Sequence, residues 1–437
     1  QGAIRVELAT ALGWSKDYKG AIGAFTRVLA ADPFNRDARL GLARTYGWAK
    51  DYEKSRIEYM ILLSEDPGNT EARIGLAQVY SWEGVHKKAV DMYRMLLAEN
   101  PGNDEVRLGL ARVLWWSGDL EGSLKEAAAI VKADSGNIEA ARLERRLRKE
   151  LGPELGVLLA SSSDSDANKL TTYKASGSFN ISPLLRLAVD YSRFNASRYS
   201  QKAHADILTV RDSIRVSKEL EFIPKLSFVS TGSSAGGADY IAAGLAAYWD
   251  FHRGTTAVFS YGLSPLVDTP ALIGNNIRVG AYSAAVMHHR GDFTASLRAA
   301  YDDYSDGNSS TGVRGNIAWK VNSAPDVIVG YIPEYKAFSE KTYSGYYNPA
   351  DIISHDLYLT LSGGLYDDAL EYELTGTAGL QSTDTGSEYT SSLRAKVTGR
   401  LTRNLSAFAG YKWSRSALES TTGYRFQEFR AGLDYLF

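Results

Sequence analysis

The chain has 437 residues and a formal net charge of −2, so its length predicts two domains and its charge disfavours a general binder of nucleic acid or acidic lipid. It contains no cysteine, which excludes disulfides, thiolate metal sites and a cysteine nucleophile. No run of about 18 apolar residues is present, so the sequence has no transmembrane-helix pattern, whereas half-polar transmembrane strands escape this test.

The first third of the chain repeats with a period of 34 residues. Tryptophans recur at this step, at Trp14, Trp48, Trp82 and Trp116. Glycines that precede Leu-Ala recur at Gly41, Gly75 and Gly109, and prolines at Pro33, Pro67 and Pro101. Each period predicts two amphipathic helices, about 18–30 and 37–46 in the first, with the proline separating one unit from the next. The glycines then permit close crossing of the two helices.

This period and these residues resemble the tetratricopeptide repeat. The match covers roughly residues 13–151 and implies a solenoid of paired helices that offers a concave surface to protein partners. Three arginines recur at one position of the repeat and are candidates for docking a partner: Arg39, Arg73 and Arg107. The alternative is that they form an ordinary solvated helix face.

Residues 1–12 align with the second helix of a repeat, and no first helix precedes them. They also lack the charged leader and apolar core of a signal peptide. Because half a repeat unit leaves an apolar face unprotected, we expect the chain to be the C-terminal piece of a longer repeat protein. A lone capping helix is the alternative.

Helical periodicity ends before Gly152-Pro153, and beyond this point side chains alternate with a period of two. About 16 strand-like segments of ~9–14 residues follow, a number typical of outer-membrane barrels. The last segment, 432–437, alternates apolar and polar residues and ends in an aromatic, as expected of a strand that closes such a barrel. We therefore predict a repeat solenoid at 1–152 and an antiparallel transmembrane β-barrel at 153–437, a fold of class α plus membrane β.

The predicted connections alternate strictly between long and short. Short turns are expected around Pro183, Pro224, Arg253, Arg290-Gly291, Ala324-Pro325, Asp367-Asp368 and Thr402-Arg403. Long polar loops are expected at 161–168, 195–202, 231–239, 265–276, 304–310, 338–351, 381–388 and 417–423. Because barrels of this kind keep their short turns in the periplasm, both ends of the barrel and the repeats are predicted on the periplasmic side.

Polar and charged residues occupy alternate strand positions. An Arg or Lys that faced lipid at mid-membrane would destabilise the barrel by about 2–4 kcal/mol, so these side chains are expected to point into a water-filled interior. The candidates for lining this lumen are Arg186, Asp190, Arg211, Arg278, Tyr282, Arg298, Arg314, Tyr358, Glu371, Glu373, Arg394, Lys396, Arg400, Glu428, Arg430 and Asp434. Outward aromatics that fit interfacial girdles are Trp319, Tyr372, Tyr411, Trp413 and Tyr435.

Acidic and basic residues nearly balance within the predicted barrel, so composition does not name the charge of a cargo. Arginine interleaved with tyrosine suits a hydroxyl-rich polymer, which can stack on rings and form many weak hydrogen bonds. The alternative is that the charges pair across strands and only solvate a pore.

Tetratricopeptide repeats followed directly by a barrel that ends in Tyr435-Leu436-Phe437 resemble the outer-membrane exopolysaccharide exporters of Gram-negative bacteria, which include those of Pel, cellulose and poly-N-acetylglucosamine. The resemblance implies a pore for a biofilm polymer, without cofactor or metal, and periplasmic repeats that recruit synthesis or modification proteins. The near-neutral barrel differs from a strongly acidic lumen for a cationic polymer, so Pel or cellulose is favoured over poly-N-acetylglucosamine.

Two other functions are compatible with the sequence. One is a plugged barrel that anchors a repeat scaffold, with loop 338–351 folded into the passage. The other is an outer-membrane hydrolase, which needs a nucleophile beside a base; the barrel histidines lack an evident serine and carboxylate setting, and are His204, His252, His288, His289 and His355. The segment 302–308 is similar to a calcium loop but lacks the distal glutamate, which favours a plain polar loop.

Overall fold

The computed structural model describes residues 2–182, 185–217, 219–234, 236–252, 254–342, 344–366, 369–402, 404–416 and 425–437. The chain divides into two compact units, Gln1–Leu151 and Gly152–Phe437. The first unit is built of helices and the second of strands, as the change of periodicity predicts. No helix in the described ranges is both long enough and apolar enough to cross a membrane.

The helices of the first unit recur at the 34-residue step. They are α1 (Gly2–Trp14), α2 (Tyr18–Ala31), α3 (Arg36–Trp48), α4 (Tyr52–Glu65), α5 (Thr70–Glu83), α6 (His86–Glu99), α7 (Asp104–Ser117), α8 (Leu120–Ala133) and α9 (Ile138–Leu151). From α2 onward they form first-and-second helix pairs, and α1 has the place of a second helix. The recurring tryptophans lie at or near the ends of second helices.

An asparagine that also recurs at the 34-residue step precedes each of the second helices α3, α5 and α7. Asn35, Asn69 and Asn103 each accept a hydrogen bond from the backbone N–H three residues further on, at 3.0, 2.9 and 3.1 Å. Such a cap satisfies one of the N–H groups that a helix start leaves unpaired. The period in the sequence is therefore a period of helix starts.

The recurring glycines lie where a second helix crosses the first helix of its own pair. A Cβ on Gly41 would overlap the ring of Phe25, and one on Gly75 or Gly109 would overlap Tyr59 or Tyr93. These rings are buried. The predicted role of the glycines in close crossing is thus visible in the packing.

The second unit is a closed antiparallel barrel in which each strand pairs with its sequence neighbours and β1 pairs with β16. The strands are β1 (Glu154–Asp164), β2 (Lys169–Ser182), β3 (Leu185–Arg198), β4 (Gln201–Arg215), β5 (Leu220–Ser233), β6 (Gly236–His252), β7 (Thr255–Pro265), β8 (Arg278–Arg290), β9 (Phe293–Tyr304), β10 (Ser309–Ser323), β11 (Asp326–Phe338), β12 (Asp351–Leu365), β13 (Leu370–Thr383), β14 (Gly386–Arg400), β15 (Leu405–Arg415) and β16 (Arg425–Leu436). The predicted fold class is confirmed.

The strict alternation of long and short connections is wrong. At 195–202, 231–239 and 381–388 the strands continue almost to the turn, because polar residues beyond an apolar band still pair as strands. The connection 165–168 is short as well. Strands are accordingly longer than expected, up to 17 residues in β6. We call the end of the barrel where β1 begins the turn end, and the opposite end, which carries 266–277 and 339–350, the loop end.

Pro224 is not at a turn. It lies inside β5 opposite Leu245, four residues after the strand begins at Leu220. Pairing of β5 with β4 is interrupted opposite Pro224, between the partners Arg211–Lys225 and Ile214–Phe222. The interruption accommodates a residue that has no N–H to donate. The predicted connections at Pro183, Arg253, 367–368 and 417–423 lie outside the described residues.

Candidate functional site: the barrel interior and the loops at its mouth

Side-chain alternation gives the barrel one apolar and one polar face. In β16 the exposed residues Phe429, Leu433 and Tyr435 alternate with Glu428 and Arg430. Residues opposite each other in neighbouring strands share a face of the sheet. The strand pairing therefore assigns each residue of the barrel to the same face as Phe429 or to the same face as Glu428. Large exposed apolar side chains, among them Leu357 at 65% exposure, then fall on the outer face. The polar face is the interior.

The register places most lumen candidates on the inner face. They are Arg186, Asp190, Arg211, Arg298, Arg314, Tyr358, Glu371, Glu373, Arg394, Lys396, Arg400, Glu428, Arg430 and Asp434. The outward aromatics named above all have outer-face register positions.

Tyr282 does not face the interior. It pairs with Tyr261 and Tyr301 on the outer face, where the ring centroids of Tyr261 and Tyr282 are 4.7 Å apart. Arg278 is four residues before Tyr282 and so has an outer-face position in the same strand, but it is the first residue of β8. Its guanidinium carbon lies 5.0 Å from the ring centroid of Tyr240. Arg278 therefore belongs to the rim of the loop end.

Charges on the inner wall are partly paired across strands. Asp190, nearly buried, accepts from Lys174 at 3.0 Å and from Arg211. Arg314 pairs with Glu334 at 2.9 Å. At the turn end, Lys320 pairs with Asp326 at 2.7 Å. Many of these side chains remain open to solvent, so the interior is wet as well as polar.

One arc of the inner wall is uncharged at mid-height. Its inward positions on β6, β7 and β8 are Ala242, Gly244, Ala246, Ser260, Gly262, Ala281 and Ser283. The hydroxyls of Ser260 and Ser283 are hydrogen-bonded at 2.8 Å. The interior is therefore two-sided, with its charged side chains on the remaining strands.

Connection 266–277 folds onto the inner wall. Its short helix α10 (Pro270–Gly274) is capped by Thr269, whose hydroxyl accepts from the Leu272 N–H at 3.2 Å. Ile273 is buried against the inward alanines Ala196, Ala203 and Ala205 of β3 and β4. The sequence contained a signal for this packing, since apolar residues recur in a segment that was expected to be a polar loop.

Connection 339–350 is held at the same end through Tyr346. The Tyr346 ring stacks on Tyr304 with centroids 4.7 Å apart, inside a cluster that includes Leu272 of α10. Its hydroxyl accepts from the fully buried Asn308 at 3.0 Å and donates to Asp306 at 3.1 Å. Residues from three connections are thus joined in one network at the mouth of the barrel.

The titration of this network follows from its burial. Burial raises the pKa of Tyr346 to about 12. Burial acts in the same sense on Asp306, but hydrogen bonds from Ser344, the Asn308 N–H, Tyr346 and Thr342 outweigh it and hold the pKa of that carboxyl below its usual value. Of the segment 302–308, residues 302–304 belong to β9 and residues 305–308 form a hydrogen-bonded polar connection. The described residues contain no cluster of metal ligands.

A pocket lies beside connection 339–350 at the loop end. It has a volume of about 370 Å³ and is bounded by Asp166, Arg198, Lys341 and Asp384, which come from different sides of the loop end. The two inward connections narrow the mouth without filling this space.

The repeat arginines are engaged in ion pairs between helices. Arg39 donates to Glu58 at 2.9 Å and Arg107 to Glu126 at 2.8 Å, in each case from a second helix to the following first helix. Arg73 instead pairs with Glu99 at 2.6 Å. These pairs join successive units, and the docking role of the three arginines stays a prediction.

The histidines of the hydrolase alternative contact hydroxyl groups. Within the described part of the barrel, His288 lies 2.8 Å from the Thr255 hydroxyl, His289 3.0 Å from that of Thr294 and His355 2.6 Å from that of Tyr331. The register places His204 and His355 on the outer face. None of these contacts includes a carboxylate.

Residues 15–59 and 83–147 match the family model of the tetratricopeptide repeat. No curated protein matches the chain. Among solved structures, one titled bacterial polysaccharide outer membrane secretin is similar, with 15% identity, coverage of 65% of this chain and 98% of that chain, and a TM-score of 0.54. This likeness concerns the fold.

Two helical proteins are also similar over part of the chain. The crystal structure of MamA protein shares 20% identity over 34% of this chain and 81% of that chain, with a TM-score of 0.29. A tetratricopeptide repeat protein from Parabacteroides merdae shares 18% identity over 34% of this chain and 59% of that chain, also with a TM-score of 0.29. The resemblance drawn from the sequence, repeats joined to a closed barrel of the secretin kind, is confirmed at the level of the fold.

Proposed function

We propose that the chain is an outer-membrane pore that exports an exopolysaccharide of a biofilm. The observation that carries the proposal is the two-faced barrel: a closed sheet whose outer face is apolar and whose inner face is charged and wet. An apolar outer surface of this size is unfavourable in water but suits the hydrocarbon of a bilayer. A sheet in hydrocarbon must pair every backbone N–H and C=O group, and closure of the barrel pairs them. The likeness to a polysaccharide secretin supports the same cargo.

The repeats would recruit periplasmic synthesis or modification proteins. β1 begins at the turn end, separated from the helical unit by two residues, and short turns belong to the periplasmic side in barrels of this kind. Arg39, Arg73 and Arg107, each in an ion pair with the following helix, remain the candidates for this docking.

Conductance of the whole protein in a planar lipid bilayer tests the pore. Replacing Tyr346 by alanine removes the stacking on Tyr304 and both hydroxyl bonds, so connection 339–350 should loosen and the conductance should rise. Tyr347→Ala is the matched control, because Tyr347 is its exposed neighbour, at 38% exposure, in the same connection. The control should conduct as the unaltered protein does.

A second candidate function is a closed barrel that only anchors the repeats. The inward packing of 266–277 and 339–350 favours it, since both connections narrow the mouth. The two functions separate in a variant whose residues 340–349 are replaced by a short Gly-Ser turn. A current through this variant supports the pore, whereas its absence in every variant supports the anchor and contradicts the pore.

A further inference from the structure

The charges of the inner wall are not evenly distributed along its height. Near the middle of the strands the inward basic residues are Lys174, Arg211, Lys225, Arg298, Arg314, Arg394, Lys396, Lys412 and Arg430. The inward acidic residues at the same height are Asp190, Glu334, Asp356, Glu373 (opposite Lys396) and Glu428. Basic side chains therefore predominate there, although the sequence as a whole has a net charge of −2. We call these basic residues the basic belt.

Outside the belt the signs are mixed. At the turn end the inward acids Glu154, Glu371 and Asp434 share the wall with Arg186 and Arg400. The excess of positive charge is thus found at the middle of the passage. The net charge of the whole chain does not reveal it, because acids elsewhere balance these basic residues.

The inward acids at this height do not neutralise the basic belt. Asp190 is shared between Lys174 and Arg211, and Glu334 pairs with Arg314. Within the described residues, Lys225, Arg298, Lys396 and Arg430 form no ion pair with a carboxylate.

The basic side chains on β14–β16 form a compact group. Arg394 lies opposite Lys412, and Arg430 lies opposite Gly410, which has no side chain to cover it. Lys396 is the next inward position after Arg394, about 6–7 Å further along the strand. Successive cationic groups at this spacing can exchange anionic groups without holding any one of them tightly.

Next to this group, across β1, a recess of about 360 Å³ on β2–β4 is lined by the basic residues Lys174, Arg186 and Arg211 together with the acids Glu154, Asp190 and Asp212. The inward Arg298 and Arg314 lie on β9 and β10, so positive charge faces the passage from both sides of the arc on β6–β8, which is uncharged at mid-height. A low-dielectric wall around such charges focuses their field into the passage and concentrates anions there.

We infer that the basic belt is a relay for carboxylate groups and that the exported polymer is a polyanion, such as a polysaccharide that contains uronic acid. This inference rests on the proposed function and specifies its cargo. Guanidinium groups bind carboxylates through paired hydrogen bonds, and several weak sites in series allow a chain to slide. A polycation would meet repulsion at the same height.

The reversal potential across a bilayer, with different salt concentrations on the two sides, tests the belt. We expect anions to permeate in preference to cations by roughly twofold or more. In the triple variant Arg298→Gln, Lys396→Gln and Arg430→Gln this preference should disappear. The control Lys169→Gln, Lys202→Gln and Arg290→Gln removes the same formal charge from exposed outer-face positions and should keep it.

Block of the ion current by oligosaccharides tests the cargo class. Oligogalacturonate should block the unaltered pore at lower concentration than uncharged cello-oligosaccharides or cationic chitosan oligomers, and the triple variant should lose that order. A cation-selective current, or stronger block by chitosan, overturns the inference but leaves the pore intact. Absence of current even after replacement of 340–349 overturns the pore and the inference together.

Discussion

Each second helix of the repeats approaches an aromatic ring through a glycine. For Gly75→Ala we expect a loss of about 1–3 kcal/mol in the free energy of unfolding of the helical unit, because the new Cβ overlaps the buried ring of Tyr59. Urea unfolding of the whole protein in detergent, followed by the helical circular-dichroism signal, measures this loss.

Gly23→Ala is the control for this substitution. Gly23 is also inside a helix, but nothing lies within 4 Å of the place its Cβ would take. Alanine there should leave the helices as stable or more stable by up to about 1 kcal/mol. Equal destabilisation by both substitutions would show that the glycines are not crossing points.

Tyr59 should make the helical unit sensitive to alkaline pH. Burial raises the pKa of Tyr59 to about 12, so the folded phenol keeps its proton after the unfolded one has lost it. The contribution of the protonated Tyr59 phenol to the free energy of unfolding is complete below the ordinary tyrosine pKa of about 10. It declines by roughly 2 kcal/mol as the pH rises towards 12.

The variant Tyr59→Phe isolates this titration. The urea midpoint of the helical signal should fall less between pH 9 and pH 11.5 in Tyr59→Phe than in the unaltered protein. An identical fall in the two proteins would mean that the Tyr59 phenol ionises freely in the folded state.

Some residue roles could be predicted from the sequence and others could not. Alternation of polar residues predicts the inward set on strands where large apolar residues mark the other face. The prediction from alternation is wrong for Tyr282. The inward positions of β8 hold small residues, so the sequence shows no clear difference in polarity between the two faces of this strand. The repeat period predicts that Arg73 recurs, but not its partner: position 92 is methionine where 58 and 126 are glutamate, so Arg73 pairs with Glu99.

At the scale of the element, the two faces of β12 offer a matched pair of neighbours. Leu359 is exposed on the outer face, while Thr360 faces inward and shares a hydrogen bond with Thr375 at 2.9 Å. In a lipid bilayer, Leu359→Arg should lower the stability of the barrel by about 2–4 kcal/mol, whereas Thr360→Arg should cost much less, since its charge enters water. Urea unfolding from lipid vesicles, followed by tryptophan fluorescence, compares them. Equal costs would contradict the assignment of faces.

The number and order of the strands follow from periodicity, but the paths of the connections do not. Connections 266–277 and 339–350 fold inward because Ile273 and Tyr346 are buried against inward residues of distant strands. Such contacts depend on closure of the sheet, which local sequence patterns do not describe. The same limitation made several polar strand ends resemble loops.

For the whole molecule, sequence period and pairing lead to the same architecture by independent routes. The 34-residue step fixes the repeats, and the closed register from β1 to β16 makes one strand face continuous around the barrel. The proposed pore, its cargo and the side on which the repeats lie all depend on this outer face being in contact with lipid and the inner face with water.

The most direct test is quenching of a small fluorophore attached to single cysteines at Leu357, Tyr358, Leu359 and Thr360, in a chain that has no cysteine of its own. Each labelled protein is inserted in vesicles and exposed to a quencher carried by lipid acyl chains or to iodide in water. We predict that positions 357 and 359 are quenched from the lipid and positions 358 and 360 from the water. Quenching of all four positions by iodide, or no alternation between neighbours, would contradict a membrane-spanning barrel with a wet interior.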